Sequence, residues 1–554
     1  MLLTCNHLAE ITKTKSLWAN LLKRQRGLVP LPPDTRKNVD GWSAAALERL
    51  VSSNELVEAL WLIPRQSAPV KLEERRGELL IGLEIILDRW ILSVYADGYI
   101  NLWDDEDSSL KKQCSFAYTG KDKISSYQAA LDDSGEKLMV VVTNVYMPGD
   151  WKAILYEVQL SDPELQFVHV YTIPTTSSRI ARQLCPAERI VAFSQLSSIN
   201  IVRWPENYEG TPTSASIVKP FQFDELEEMF TTVLALRCLD KCIFVFKTRS
   251  IELYPMPDSD ADPQPTLSPS TLRHSFPSYN FREVRISDVE AEQCPAESYN
   301  RYTLALLASD VIQGLFHFTV NITVPYESFE QSLLEVHLTA IHAMVNNIPL
   351  HGHPGAGPGS TLTTRLWFSN SSESAHPNPS ESSAPSSSSA TPTPRSTSTM
   401  DELHPSPNFL RRLHDSHGVS TSGRLTSSFV AAYAMGSQGM RAIWVERRRG
   451  DTMRRIVSCQ LQPKHLLTPL SSSSSASASG SRSGTEGNGG SNPDENGIES
   501  GLEALPWAID GHVIYSIQSY DLREDITSCA LGEVSGKIVL GNRAGDVFVL
   551  DTGA

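Results

Sequence analysis

The densest run of chemically capable side chains is ERRRGDTMRR at residues 446–455. Arginines on both sides of a Gly-Asp turn would gather at one hairpin tip, where guanidinium forks hold a carboxylate or phosphate through paired hydrogen bonds. Arg447, Arg448 and Arg449 are therefore candidates for receiving an acidic or phosphorylated peptide, although a solvated hairpin would use the same residues. Other constellations are weaker. The acidic pairs Asp104-Asp105 and Glu227-Glu228 could divide acid and base roles in a hydrolase, yet carboxylates at turns are ordinarily solvated. His351 and His353 flank a glycine with no third metal ligand beside them. The eight cysteines include no C-x-x-C pair, and Cys238 and Cys242, the nearest two, read as small buried residues around a strand start. Nucleophile-elbow, P-loop, dinucleotide-binding and H-E-x-x-H motifs are absent. The chemistry points to binding rather than catalysis, with no cofactor and no metal. Ser268, Thr391, Thr393 and Ser406, each followed by proline, are candidate phosphorylation sites.

What must position these residues is a recurring pair of strands. In RWILSVYADGYINLWDD, residues 89–105, an apolar strand meets Asp97-Gly98, which suits the positive φ angles of a tight turn, and returns as a second strand ending at Trp103-Asp104. A lone hairpin is marginal in water, so recurrence decides the fold. The scheme returns at 188–205, 240–255, 301–318 and 535–551, and with longer turns at 136–158 and 427–446, making about seven paired-strand units. Further β-rich stretches such as KKQCSFAY, LQFVHVYTI, LLEVHLTAI and RRIVSCQLQ follow, suited to the outer strand of a four-stranded sheet. One such sheet cannot cover its own apolar faces. Stacking the units around a ring covers them, which makes the chain mainly β and gives a β-propeller.

The Trp-Asp pair closing residues 89–105 resembles the WD-repeat family, whose blade consensus ends its third strand with those two residues. Trp103-Asp104 matches in full, and Leu550-Asp551 and Trp204-Pro205 are altered copies. The resemblance implies a WD-like propeller of about seven blades over 67–554. The last unit supplies only three strands, so residues 68–87 are expected to contain a strand that pairs with 547–551 and closes the ring. Residues 346–423 and 468–502 are Ser-rich and too polar to offset the entropy of ordering, and are expected to be disordered inserts within the propeller.

Ahead of the ring, CNHLAEITKTKSLWANLLKRQRG (residues 5–27) reads as helical and amphipathic. Cys5, Leu8, Ile11, Leu17, Trp18 and Leu21 resemble the second half of an F-box, with its Val-Cys-Lys-like start and the Leu-Trp pair opening the next helix. Residues 1–27 would then be a partial F-box-like module. Residues 28–66, bounded by prolines and carrying Leu47, Leu50, Val51, Val57, Leu60 and Trp61 at helical spacing, resemble the helical linker that joins an F-box to a propeller. That family begins with a Leu-Pro pair and a first amphipathic helix, for which Leu2 and Leu3 are the nearest counterparts, so the module is expected to be N-terminally incomplete. The resemblance implies that the six module residues contact a Skp-type adaptor of a cullin ligase core. It also implies that the chain is the substrate-recognition subunit of a Skp-cullin-F-box ubiquitin ligase, its propeller binding the target protein. The alternative is a propeller scaffold for protein–protein interaction without ubiquitin function.

A formal net charge of −16 argues against a general nucleic-acid surface. No window approaches the roughly 18 consecutive apolar residues of a membrane span, and no leader-like apolar run follows a basic start. The expected location is cytoplasmic, nuclear or both.

Overall fold

The computed structural model describes residues 11–25, 29–31, 41–62, 68–73, 77–104, 111–117, 123–145, 151–174, 179–217, 231–257, 272–276, 278–294, 298–311, 313–343, 428–448, 450–461, 507–509 and 511–551. Two helices come first, α1 (Lys15–Gln25) and α2 (Ala44–Leu62). The second starts where the Ser43 hydroxyl accepts the Ala46 N–H at 3.2 Å, an N-cap that satisfies one otherwise orphaned donor. The helices pack through Leu22, Leu47 and Val51, with Trp18, Leu21 and Trp42 around them.

After β1 (Val70–Glu73), the first sheet holds β2 (Leu80–Ile86), β3 (Trp90–Tyr95), β4 (Tyr99–Asp104) and β5 (Lys111–Ala117). The second holds β6 (Lys123–Leu131), β7 (Lys137–Val145), β8 (Lys152–Gln159) and β9 (Val168–Pro174). The third holds β10 (Ile180–Cys185), β11 (Ile190–Gln195), β12 (Ser198–Arg203) and β13 (Thr213–Ile217), and the fourth β14 (Val233–Cys238), β15 (Cys242–Lys247), β16 (Ser250–Pro255) and β17 (Leu272–Ser275). The fifth is built on β18 (Phe281–Ile286), β20 (Tyr299–Asp310), β21 (Gly314–Pro325) and β22 (Leu333–Ala343); β19 (Glu290–Cys294) pairs with β20, and β26 (Trp507–Ala508) runs parallel to β22. The sixth holds β23 (Ser428–Met435), β24 (Arg441–Arg448), β25 (Met453–Gln460) and β27 (Gly511–Gln518). The seventh joins β28 (Ile526–Leu531), β29 (Lys537–Asn542) and β30 (Val547–Asp551) to β1.

These sheets form a closed ring. The first strand of each packs against the first strand of the next, from β2 through β6, β10, β14, β18 and β23 to β28, and β28 packs against β2. An apolar cluster fills every gap between neighbours. In β15, Cys242, Phe244 and Phe246 face the cluster shared with the fifth sheet, whereas Ile243 and Val245 face the one shared with the third. A middle strand is thus buried on both faces, which is why its sequence is a continuous apolar run rather than an alternation. Ring closure is the one expected from the sequence: β1 lies within 68–87 and pairs antiparallel with β30, Val70 opposite Val549 and Lys71 opposite Phe548. With an N-terminal strand completing the last sheet as its outermost member, the seven sheets among the described residues make a closed β-propeller, and Trp103-Asp104 ends a third strand.

The sixth sheet corrects the sequence reading. The unit at 427–446 is β23 and β24, the first and second strands rather than the second and third, and RRIVSCQLQ is the third strand, β25, rather than the outer one. The turn at 436–440 imitated a second-to-third hairpin, and the true outer strand, β27, lies beyond the Ser-rich segment. Residues 346–423 and 468–502 lie outside the described residues.

Candidate functional site

One end of the propeller holds the helices. Arg441, at the start of β24, is 1 % exposed; its guanidinium donates to Glu58 Oε2 on α2 at 2.6 Å and to the Glu533 carbonyl at 2.7 Å, and lies 5.2 Å from the Trp61 ring centroid. Trp61 itself is buried in the cluster between the sixth and seventh sheets, its indole N–H donating to the Cys459 carbonyl at 3.2 Å. The Gln438 side chain adds a two-way bond to the backbone of Leu31, accepting at 3.1 Å and donating at 2.9 Å. The Glu533 carboxylate accepts the backbone N–H groups of Met440 at 2.7 Å and Arg441 at 2.8 Å, tying the sixth sheet to the seventh. Glycine is required opposite it, since a Cβ at Gly436 would fall 2.2 Å from Glu533 Cδ.

Burial pushes the Glu533 carboxyl from its ordinary 4.5 up to about 7, against the opposing pull of three backbone N–H groups and Arg441. The folded protein therefore holds this proton more tightly than the unfolded chain, so the carboxyl's contribution to stability is complete below pH 4.5 and is lost as pH rises through 7. Glu533→Gln is expected to remove that dependence. Urea midpoints of the two proteins, followed across this range, should shift in favour of the variant as the pH rises. A difference that stays constant with pH would contradict the assignment.

At its other end β24 reaches Arg447, six residues from Arg441 and about 20 Å away at strand rise. Arg447 donates to Asp525 Oδ2 at 2.7 Å, and Arg454, opposite it on β25 and 2 % exposed, donates to Asp525 Oδ1 at 2.6 Å and to the Ser519 carbonyl at 2.6 Å. Two of the five arginines of the run thus clamp one carboxylate. Arg448 and Arg455 are half-buried and have no ion-pair partner among the described residues, and Arg449 lies outside them. The segment between β27 and β28, which carries the Asp525 held by Arg447 and Arg454, presents Tyr520, 85 % exposed, and Leu522, 54 % exposed. Sequence reasoning missed Tyr520, Leu522 and Asp525, whose only signal is the alternating polar run SYDLRED on the far side of the Ser-rich segment. Arg447 and Arg454 thus border an exposed aromatic and an exposed aliphatic side chain.

The channel carries a third cluster. Glu84, Tyr127, Arg237 and Arg285 come from the first strands of the first, second, fourth and fifth sheets, the strands that pack against one another around the ring. Burial raises the Glu84 carboxyl to about 7, opposed by a hydrogen bond from Tyr127 and by the two arginines. Several polar groups here stitch neighbouring first strands: Gln128 donates to the Ala181 carbonyl at 3.4 Å, Arg182 to that of Leu234 at 2.9 Å, and Arg237 to that of Ile286 at 3.1 Å. This is a structural seam. Of the acidic pairs considered for hydrolysis, Asp104 ends β4 in an ion pair with Arg89 at 2.6 Å, and Asp105, Glu227 and Glu228 lie outside the described residues.

Of the helical candidates, Cys5 and Leu8 lie outside the described residues. Ile11 is exposed, and Leu17, Trp18 and Leu21 are half-buried, with Trp18 and Leu21 against the cluster between α1 and α2. Cys242 is buried, its thiol pushed up to about 12 by loss of solvent, and Cys238 is shifted the same way. No group of three metal-ligating side chains occurs among the described residues, and His351 and His353 are not among these. No described helix is long and apolar enough to cross a membrane.

No protein-family model matches the chain, and no curated protein matches it. Among solved structures, the β-propeller domain of Cps50 (Swd1) from Myceliophteria thermophila aligns over 87% of this chain and 99% of its own, at 8% identity and a TM-score of 0.44. The C-terminal WD40 domain of Sif2 aligns over 88% and 99%, at 7% identity and a TM-score of 0.39. The WD40 domain of SCAP from fission yeast aligns over 86% and 85%, at 6% identity and a TM-score of 0.36.

Proposed function

We propose that the chain is a non-enzymatic protein receptor: the substrate-recognition subunit of a Skp-cullin-F-box type ubiquitin ligase, working in the cytoplasm or nucleus without cofactor, nucleic acid or membrane. The observation that carries this reading is the Glu58–Arg441–Glu533 junction, which fixes the helices at one end of the propeller while the arginine-bordered surface lies at the other. A receptor needs that separation, because one end must be held by an adaptor while the other presents a target at a set distance. Ligase chemistry belongs to its partners. The residues expected to meet the adaptor are Cys5, Leu8, Ile11, Leu17, Trp18 and Leu21, carried over from the F-box resemblance.

A propeller scaffold without ubiquitin function is the second reading. It is favoured by the packing of Trp18 and Leu21 against α2, which takes up part of the apolar face an adaptor would need. Co-purification of a Skp-type adaptor with the chain separates the two. Retention of the adaptor, weakened about thirtyfold by Trp18→Ala with helix content preserved, is expected for a receptor, since truncating a buried aromatic anchor costs about 2 kcal/mol. Failure of the folded chain to retain the adaptor leaves the scaffold.

A further inference from the structure

The fifth sheet is longer than its neighbours, and the extra length ends in an unguarded strand. β20 and β21 run twelve residues each, against six in β15 and eight in β24. The first strand, β18, pairs with β20 only from Phe281 to Ile286; after three residues β19 takes over, Glu290 opposite Thr303 and Glu292 opposite Arg301. Among the described residues β19 pairs with β20 alone, and none of them hydrogen-bonds the backbone of its other edge. Glu290, Ala291, Glu292 and Gln293 are all exposed, so neither face of the strand is covered by packing.

Side chains alternate along a strand, so Glu290 and Glu292 project from one face two residues apart, and neither has an ion-pair partner among the described residues. A strand added to this edge would set its own alternate residues opposite these carboxylates, where cations pair favourably and anions repel. The site is also placed beside the helices. Asp288, two residues before β19, donates its N–H to the Ser437 carbonyl at 2.6 Å, and the next residue, Gln438, is the one bonded to Leu31.

We infer that β19 is a strand-addition site for an extended segment of a partner protein with Lys or Arg at alternate positions. Main-chain hydrogen bonds to the open edge supply the attachment, and the two glutamates select the charge and register of the incoming strand. The site is independent of the arginine-bordered surface, which lies at the other end of the propeller and carries the opposite charge.

The test uses the full chain with a short synthetic peptide alternating Lys and Val, and the same peptide N-methylated at alternate amides so that it keeps its charge but cannot form a ladder. Amide hydrogen exchange at 290–294 and fluorescence anisotropy are read together. The unmodified peptide is expected to slow exchange along β19, the N-methylated peptide to leave it unchanged, and Glu290→Lys with Glu292→Lys to weaken binding at least about tenfold without altering the melting transition. Equal binding of both peptides would reduce the effect to attraction by an acidic protein and overturn the inference. Unchanged exchange at β19 under saturating peptide would do the same.

Discussion

Replacing Arg441 by methionine is expected to destabilise the protein by about 3–5 kcal/mol, because it leaves a buried carboxylate without its cation. Glu58 would keep its contact with Gln460 but lose the guanidinium, and the Glu533 carbonyl would lose the same donor. Methionine fills much of the arginine volume, so the loss reports charge and hydrogen bonding more than a cavity. The double variant with Glu58→Gln is expected to be less destabilised than Arg441→Met alone, since the stranded charge goes with its partner. Urea denaturation of the four proteins of this cycle measures the coupling. Single and double variants that simply add would remove the ion pair from the account.

Asp525→Ala carries the second large effect, again about 3–5 kcal/mol, because Arg454 is buried and would be left with carbonyl acceptors alone. Arg447→Ala is expected to cost far less, on the order of 1 kcal/mol, since that side chain is 25 % exposed and water can replace it. The ranking is the prediction: calorimetric melting in which Arg447→Ala matches Asp525→Ala would show that the carboxylate does not serve Arg454.

The propeller was legible because its middle strands are buried on both faces, which writes apolar runs such as CIFVFK into the sequence at a regular interval. The closing strand was legible by counting, since three strands cannot complete a four-stranded sheet. What escaped has a common cause in distance along the chain. Glu58 and Arg441 are 383 residues apart, Arg441 and Glu533 are 92, and Arg447 and Asp525 are 78. No local pattern marks such pairs, and a charge in an apolar stretch reads as surface until its partner is found. β27 escaped because a long Ser-rich segment separates it from the sheet it completes, and β19 because an exposed strand has no hydrophobic alternation to reveal it. The arginine run was found from sequence, but its composition could not show that Arg447 and Arg454 are held by Asp525 and that Tyr520 and Leu522 stand beside them.

The Glu58–Arg441–Glu533 junction is expected to hold the helices and the propeller as one rigid body with two separate ends. Spin labels placed by unnatural amino acids at Leu56 on α2 and at Tyr520, both exposed, report the distance between those ends directly. A single narrow distribution that broadens in Arg441→Met is the result expected; a broad distribution in the native chain would contradict the account.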